Sequence, residues 1–391
     1  AVAGIPALLD RARRQRPRAA RLADRIASRF LAGILLAATL AGLAWLRLDP
    51  TRALEVVLAT LIVTCPCALS LATPSAITAA SVRLRRAGVL VADPDTFETL
   101  AQCEAICFDK TGTLTEPLAL EVRRSAGEAS ADRVVAALEQ DLDHPLARAL
   151  ARLVDDAPPA RDRQVAAGGG VRGEVDGVRW RLGRGGFCGL DEDREAELVL
   201  VREGETVPAA RYEVSERLRP GAARVLDALR DRGLEPLLLS GDSEARTGHI
   251  AGILGIRTWA GGARPADKLA WLQARMAGGR HLAYVGDGLN DAPVLGGASA
   301  SVAVGSASDY ARTAADVVLL DEDLDALPEL LDTARAARRR IRRNLAWALG
   351  YNALAVPLAL TGLVTPWMAA IGMSASSLVV MLGSASLLKA D

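Results

Sequence analysis

Lysine is almost missing from this chain: of 47 basic residues only Lys110, Lys268 and Lys389 are lysine. Where lysine survives in so arginine-rich a sequence, the chemistry wants a compact ammonium and not a planar fork. None of the three completes a G-x-x-x-x-G-K string, which excludes a P-loop nucleotide site. Net charge is missing too, 47 basic against 47 acidic residues, so nothing points to a nucleic-acid partner. Five cysteines at irregular spacing make no disulfide framework, and no Cys-x-x-Cys pair marks a cytosolic metal-binding module. Neither an initiator methionine nor a signal peptide opens the chain, so a piece of a longer protein is expected. What is present, 391 residues at 50% hydrophobic and 24% charged, excludes a disordered protein and allows roughly two or three domains.

The apolar residues are bunched. Phe30–Leu46, Val56–Ser81, Leu345–Trp367 and Met368–Leu388 carry no charge, and a helix of ~20 such residues crosses a ~30 Å hydrocarbon layer. Four membrane spans are expected in place of buried core helices. Arginines between 11 and 29, at 83, 85 and 86, and between 335 and 343 flank the first three spans; the positive-inside rule makes those flanks cytoplasmic. Arg47–Glu55 and Val364–Trp367 are then short external turns, and residues 1–29 a cytoplasmic amphipathic helix.

Between the expected hairpins, 30–82 and 336–391, the pattern changes. Short apolar runs at Ile106–Phe108, Pro236–Leu239, His281–Val285, Ser301–Val304 and Val317–Leu320 alternate with helical stretches. That rhythm predicts a parallel α/β sheet with helices on both faces over 83–116 and 215–335. Residues 117–214 break it with two helical stretches, then hairpin-like alternation at Val171–Arg181 and Leu198–Glu213. They are expected to form an inserted α+β domain.

Strand ends of the soluble part carry chemistry. Asp109-Lys-Thr-Gly-Thr-Leu-Thr follows the first run, where open α/β sheets bind their ligands. A carboxylate there is a nucleophile toward phosphate, or simply a turn aspartate. Ser240-Gly241-Asp242 follows the second run, Lys268 lies in Pro265-Ala-Asp-Lys, and Gly286-Asp287-Gly-Leu-Asn290-Asp291 follows the third. A nucleophile, a phosphate-binding hydroxyl, an ammonium and an acid pair suited to Mg²⁺ describe phosphoryl transfer.

D-K-T-G-T-L-T with the downstream G-D-G-x-N-D-A-P (Gly286–Pro293) resembles the phosphorylation domain of P-type ATPases, a haloacid-dehalogenase-like α/β domain. The resemblance implies that Asp109 takes the γ-phosphate of ATP and that Lys110, Gly241 and Asp242 complete the catalytic loops. It also implies that Lys268 and Ser240 neutralise the phosphoryl group, and that the Thr111 carbonyl with Asp109, Asp287, Asn290 and Asp291 holds Mg²⁺. Ser240 stands where the family usually has Thr; the hydroxyl is kept. Phosphatases of this superfamily place a second Asp two residues after the nucleophile as general acid and base. Here that residue is Thr111, so the aspartyl phosphate should persist. A membrane-anchored phosphatase is the alternative enzyme.

In the inserted domain, Glu139, Asp143-His144-Pro145-Leu146 and Gly168-x-Gly170-x-x-Gly173 together resemble the nucleotide-binding domain of the heavy-metal branch of that family. The glycine string alone is a weak signal, because it opens no helix. The resemblance implies adenine and ribose contacts from Glu139, His144, Pro145, Gly168, Gly170 and Gly183. His249 and His281 match nothing and are expected to be structural.

Cys65-Pro66-Cys67 lies inside the second expected span, about 14 Å from its external end at ~1.5 Å per residue. Pro66 removes a helix hydrogen bond, so both thiols can face one cavity; two small apolar cysteines packed in a bundle are the bland alternative. Thiolates select Cu(I), or Zn²⁺ in some sites. Tyr351-Asn352, Met373 and Ser376-Ser377 fall in the last two spans, and no Asp, Glu, Lys or His occurs between Leu345 and Leu388. The set resembles the copper(I) branch of heavy-metal P-type ATPases. It implies Cys65, Cys67, Tyr351, Asn352, Met373 and Ser377 as ligands of transported Cu(I), with Ag(I) on the same route. Singly, Tyr351 and Ser377 could be helix-packing groups. Zinc pumps of the family carry an acid and a lysine in these helices, and a Zn(II) pump is the second alternative. The spelling around Cys-Pro-Cys and Met373-Ser-Ala-Ser-Ser resembles pumps that supply copper for oxidase assembly. Cys103, Cys107 and Cys188 match no ligand pattern and are expected to be buried.

The family's Thr-Gly-Glu actuator loop is not found in the sequence. The expectation is an integral protein of a bacterial inner membrane, partnered by lipid, ATP, a cytosolic copper chaperone and an extracytoplasmic copper acceptor. As a fragment without the actuator domain, whose exit helix residues 1–29 resemble, it is not expected to complete a transport cycle.

Overall fold

The computed structural model describes residues 33, 35–142, 145–166, 169–190, 197–287, 292–304, 315–321 and 323–389. Apolar helices come first. α1 (Leu35–Leu48) is followed at once by α2 (Pro50–Val63), because the Asp49 carboxylate accepts the Thr51 N–H at 3.1 Å and Pro50 is pre-set for a first helical position. The expected external loop Arg47–Glu55 is therefore a turn at Asp49. α2 stops at Thr64–Pro66, where Pro66 has no N–H to give, and α3 (Cys67–Arg86) resumes beyond it.

Next come β1 (Val89–Val91), α4 (Thr96–Leu100) and β2 (Ala105–Asp109). The stretch that follows holds β3 (Thr115–Gly127), α5 (Ser130–Glu139), α6 (Pro145–Ala151), β4 (Arg161–Ala166), β5 (Gly170–Val175), β6 (Val178–Gly183), β7 (Glu197–Arg202) and β8 (Ala210–Leu218). The α/β rhythm then returns as α7 (Ala222–Asp231), β9 (Glu235–Leu239), α8 (Glu244–Ile253), β10 (Thr258–Ala260), α9 (Pro265–Met276), β11 (Leu282–Gly286), α10 (Ala292–Gly297), β12 (Ala300–Ala303) and β13 (Val317–Leu319). α11 (Ala326–Leu360) runs for 35 residues, and α12 (Pro366–Ala385) closes the chain.

The expected third span, Leu345–Trp367, is too long at its external end. Gly362 takes φ 74°, the Leu363 N–H bonds the Leu358 carbonyl at 3.1 Å and the Gly362 N–H bonds that of Ala359 at 3.0 Å. This left-handed cap ends α11 at Leu360, so the turn is Thr361–Thr365 and Trp367 belongs to α12.

The described residues form two compact units. The first contains those up to Cys107, Arg224–Pro236 and those from Pro265 onward. Its strands run in the order β1-β13-β12-β11-β2, with β11, β12 and β13 parallel and β1 antiparallel on the edge. α7 and the residue after it are stapled to the start of α11 and its N-cap by two forked pairs, Arg224 with Asp325 and Arg232 with Asp332, the latter at 2.7 Å from Nη2 to Oδ2. α2, α3, α11 and α12 meet through small residues, Ala59, Ala359 and Ala369 in one cluster and Ala68, Ala72 and Ala348 in another. Their other faces expose Leu54, Leu58, Leu354, Ile371 and Leu382, which suits a hydrocarbon solvent. Pro50–Arg86 and Pro366–Leu388 are long and apolar enough to cross a membrane. Leu35–Leu48 is shorter among the described residues, and the remaining expected span is the apolar half of α11.

The second unit contains Phe108–Ala223 and Leu237–Arg264. It holds the order β2-β9-β10, β2 and β9 being cut by the division between units, and a six-stranded antiparallel sheet β3-β8-β7-β6-β5-β4. α5 and α6 bury Val135, Leu138 and Leu150 against Val171, Leu182, Leu200 and Tyr212 of that sheet. The stretch after Leu114 thus opens on a strand and not on the helical stretches expected. β4, β1 and β10 are further strands absent from the sequence-based expectation.

Candidate functional site

Asp109 is the last residue of β2 and is buried, and the loop that leaves it turns at Gly112, φ 73°. Lys110, expected among the catalytic residues, follows Asp109. Its side chain is 1% exposed, and its ammonium donates to Glu216 Oε1 at 2.7 Å and to Asp242 Oδ2. The other Glu216 oxygen accepts the Thr115 hydroxyl at 2.7 Å. A buried ammonium needs such partners, because an unpaired charge away from water is expensive. Arg219 donates from Nη2 to the Gly112 carbonyl at 2.8 Å and from Nε to that of Thr113 at 3.0 Å. Glu216 and Arg219 are residues that sequence reasoning missed.

Ser240 is buried at the end of β9, where its hydroxyl accepts the Asp242 N–H at 3.1 Å. Gly241 passes the Ala263 carbonyl closely enough that a Cβ would sit 3.4 Å from it. Burial works against the charge of Asp242, but hydrogen bonds from Lys110 and the Ser243 N–H hold its carboxyl below the usual range. The Asp109 loop and the Ser240-Gly-Asp242 loop are thereby joined through Lys110. In the first unit, Lys268 is buried on the first turn of α9 and Asp287 is buried directly after β11. Asp287 offers oxygen donors of the kind a hard dication takes. Asn290 and Asp291 lie outside the described residues.

Of the expected nucleotide contacts, His144 and Gly168 also lie outside the described residues, and Pro145 opens α6. Glu139 ends α5 and is buried; burial pushes its carboxyl up to about 7, against the opposing pull of Arg163. Gly170 and Gly183 face each other across β5 and β6. A Cβ on Gly170 would strike the Leu182 carbonyl, and one on Gly183 the Gly169 carbonyl. Strand packing alone therefore requires glycine at both positions. The thiols of Cys103 and Cys188 are pushed up by burial, to about 12 and about 11, which disfavours the thiolate.

In the apolar helices, the break at Pro66 brings the Cα atoms of Cys65 and Cys67 to 5.4 Å, within bridging range, and the structure joins them as a disulfide where free thiols were expected. Ligation would require the reduced pair. Because α2 begins at Pro50, Cys65 lies roughly 22 Å along the helix from that end and not ~14 Å. Met373 on α12 puts its Sδ 4.0 Å from Cys67 Sγ. Tyr351 presses its hydroxyl against the α12 backbone at Gly372, where a Cβ would come within 2.6 Å of it. Asn352 is buried. Ser376, not Ser377, is the fully buried serine, and its hydroxyl accepts the Trp347 indole N–H at 3.2 Å. Among the described residues no group of three or more His, Cys, Asp or Glu forms a metal cluster, so any site here is built on two cysteines and a thioether.

Comparisons with known proteins converge. A family model described as haloacid dehalogenase-like hydrolase matches residues 103–299, and a second of the same description matches 270–331. The nitrogen fixation protein FixI of Rhizobium leguminosarum bv. viciae is 40% identical over 387 residues, 96% of this chain and 51% of that protein. The copper-exporting P-type ATPase of Mycobacterium tuberculosis is 34% identical over 405 residues, 99% of this chain and 53% of that one. The chain thus spans about half the length of these curated relatives. The crystal structure of a zinc-transporting PIB-type ATPase in the E2.Pi state superposes with a TM-score of 0.85 at 27% identity, covering 99% of this chain and 67% of the other.

Proposed function

The chain belongs to the haloacid-dehalogenase-like family and, within it, to the P-type ATPases, and on that premise we propose that it drives Cu(I), and Ag(I) by the same chemistry, out of the cytoplasm at the cost of ATP. Asp109 would take the γ-phosphate, with Ser240 and Lys268 compensating its charge. Asp287, the Thr111 carbonyl, Asn290 and Asp291 would hold Mg²⁺, which supplies charge neutralisation on the phosphates. Thr111 stands where a phosphatase would keep an acid–base aspartate, which supports a persistent aspartyl phosphate. Nucleotide would bind the region 117–214 through Glu139 and His144. A bacterial inner membrane is the setting that fits, with a cytosolic copper chaperone as donor and an extracytoplasmic acceptor.

The observation that carries the metal assignment is the approach of Met373 Sδ to Cys67 Sγ across two helices. A thioether and two thiolates, with no charged residue between Leu345 and Leu388, suit a soft monovalent ion. A divalent ion would be left poorly compensated. Zinc is the second reading, favoured by the likeness to the zinc-transporting structure. ATP hydrolysis by the full-length protein under reducing conditions separates the two. Cu(I) and Ag(I) should stimulate it and Zn²⁺ should not, and Cys65→Ser or Cys67→Ser should abolish the stimulation while ATP binding persists. Zinc stimulation equal to copper, or an unimpaired Cys67 variant, would overturn the copper assignment.

A further inference from the structure

The loop from Lys110 to Thr115 leaves the proposed nucleophile and must find donors for its carbonyls and partners for its side chains. One short segment at the end of β8 supplies most of them. Arg219 takes the carbonyls of Gly112 and Thr113 with its side chain and that of Leu114 with its own N–H at 2.8 Å. Glu216 takes the Lys110 ammonium with one oxygen and the Thr115 hydroxyl with the other, each at 2.7 Å. Every one of these bonds ends on residues 110–115, and the other end of β8 pairs with β3 and β7 in the six-stranded sheet.

We propose that Glu216 and Arg219 are positioning residues for phosphoryl transfer to Asp109, a clamp that fixes the shape of the loop behind the nucleophile. The inference rests on the phosphoryl-transfer reading above. In such transfer, catalysis is mostly placement and charge neutralisation. The Lys110 ammonium is shared between Glu216 and Asp242, so its position is set by a balance of two carboxylates. Glu216→Gln keeps the shape and an acceptor but removes one charge. The ammonium then moves toward Asp242 and draws the residue next to Asp109 with it. Arg219→Lys keeps the charge but cannot reach two carbonyls as a fork does.

The test measures formation of acid-stable, hydroxylamine-labile phosphoenzyme from γ-labelled ATP in the full-length protein, with Cu(I) under reducing conditions. Both variants should form it roughly 10- to 100-fold more slowly, the scale of a reacting group misplaced by about 1 Å, while the KM for ATP changes less than about twofold. Should Glu216→Gln fail to fold, Glu216→Asp, which keeps the charge but withdraws it by one methylene, is expected to show the same split. Wild-type rates in the variants would overturn the clamp and leave the phosphoryl-transfer reading standing. So would a slowing matched by equal losses of ATP affinity and thermal stability, since that is plain structural damage. No label on Asp109 in the wild type would overturn both.

Discussion

The loop behind Asp109 and the proposed sulfur site between α3 and α12 fix their side chains by opposite means. The loop buries the Lys110 ammonium against two partly exposed carboxylates. Lys110, Glu216 and Asp242 compensate one another, and Arg219 closes on backbone carbonyls. The sulfur site has no charged residue from the last two helices, Leu345 to Leu388, and is framed by neutral contacts, the Trp347 indole on Ser376 and Tyr351 beside Gly372. Paired charges give strong and directional positioning but tolerate no missing member. Neutral contacts are weaker each and can be loosened singly. Variants that remove one charge from the loop should therefore act more strongly than variants of the neutral contacts around the sulfurs.

The sharpest way to break that contrast is Asp109→Asn. It should abolish phosphoenzyme formation from ATP in the full-length protein without impairing ATP binding, and any residual hydroxylamine-labile label would place the nucleophile elsewhere.

A smaller effect is expected at Glu139, a buried carboxyl for which burial outweighs the pull of Arg163. Its carboxyl is raised from 4.5 to about 7 by burial, so the folded state keeps a proton that the unfolded chain releases. The stabilisation is complete below about pH 4.5 and is lost as pH rises through about 7, on the order of 3 kcal/mol in all. Glu139→Gln should flatten this dependence and raise the melting temperature at pH 8. Equal pH dependence in the two proteins would contradict it.

The smallest effect is expected from Trp347→Phe, which deletes one neutral hydrogen bond worth about 1 kcal/mol or less in a membrane. Cu(I) affinity, measured by competition with a chelator, should drop only about two- to fivefold. A complete loss would show that the neutral site is as brittle as the charged one.

The strands that carry Asp109, Ser240 and Asp287 were legible in the sequence because each is a short apolar run ending in a polar string, a local signal. Glu216 and Arg219 were not. They lie about a hundred residues from the loop they hold, and only the pairing of β3 with β8 brings them there. β3 itself escaped notice because Pro117 and scattered charges along Thr115–Gly127 hide its alternation. The membrane helices were legible from uncharged runs, but their ends were not. Those ends depend on Asp49 as a cap and Gly362 in a left-handed turn, single residues that composition averages away. The glycine string of the inserted region is legible in the sequence, but the close approach of β5 and β6 that demands glycine at Gly170 and Gly183 is visible only in the fold.

α11 has a mechanical consequence. It is one 35-residue helix, about 52 Å long at 1.5 Å per residue, bonded at Asp332 to Arg232 just after α7 and carrying Trp347 and Tyr351 against α12 farther along. Between Asp332 and Tyr351 lie roughly 28 Å of stiff rod. Pivoting that rod by about 3° displaces Tyr351 by roughly 1.5 Å by simple leverage on that length. The Tyr351 hydroxyl at the end of that lever lies where a Cβ on Gly372 would meet it, one residue before Met373, whose Sδ is 4.0 Å from Cys67 Sγ.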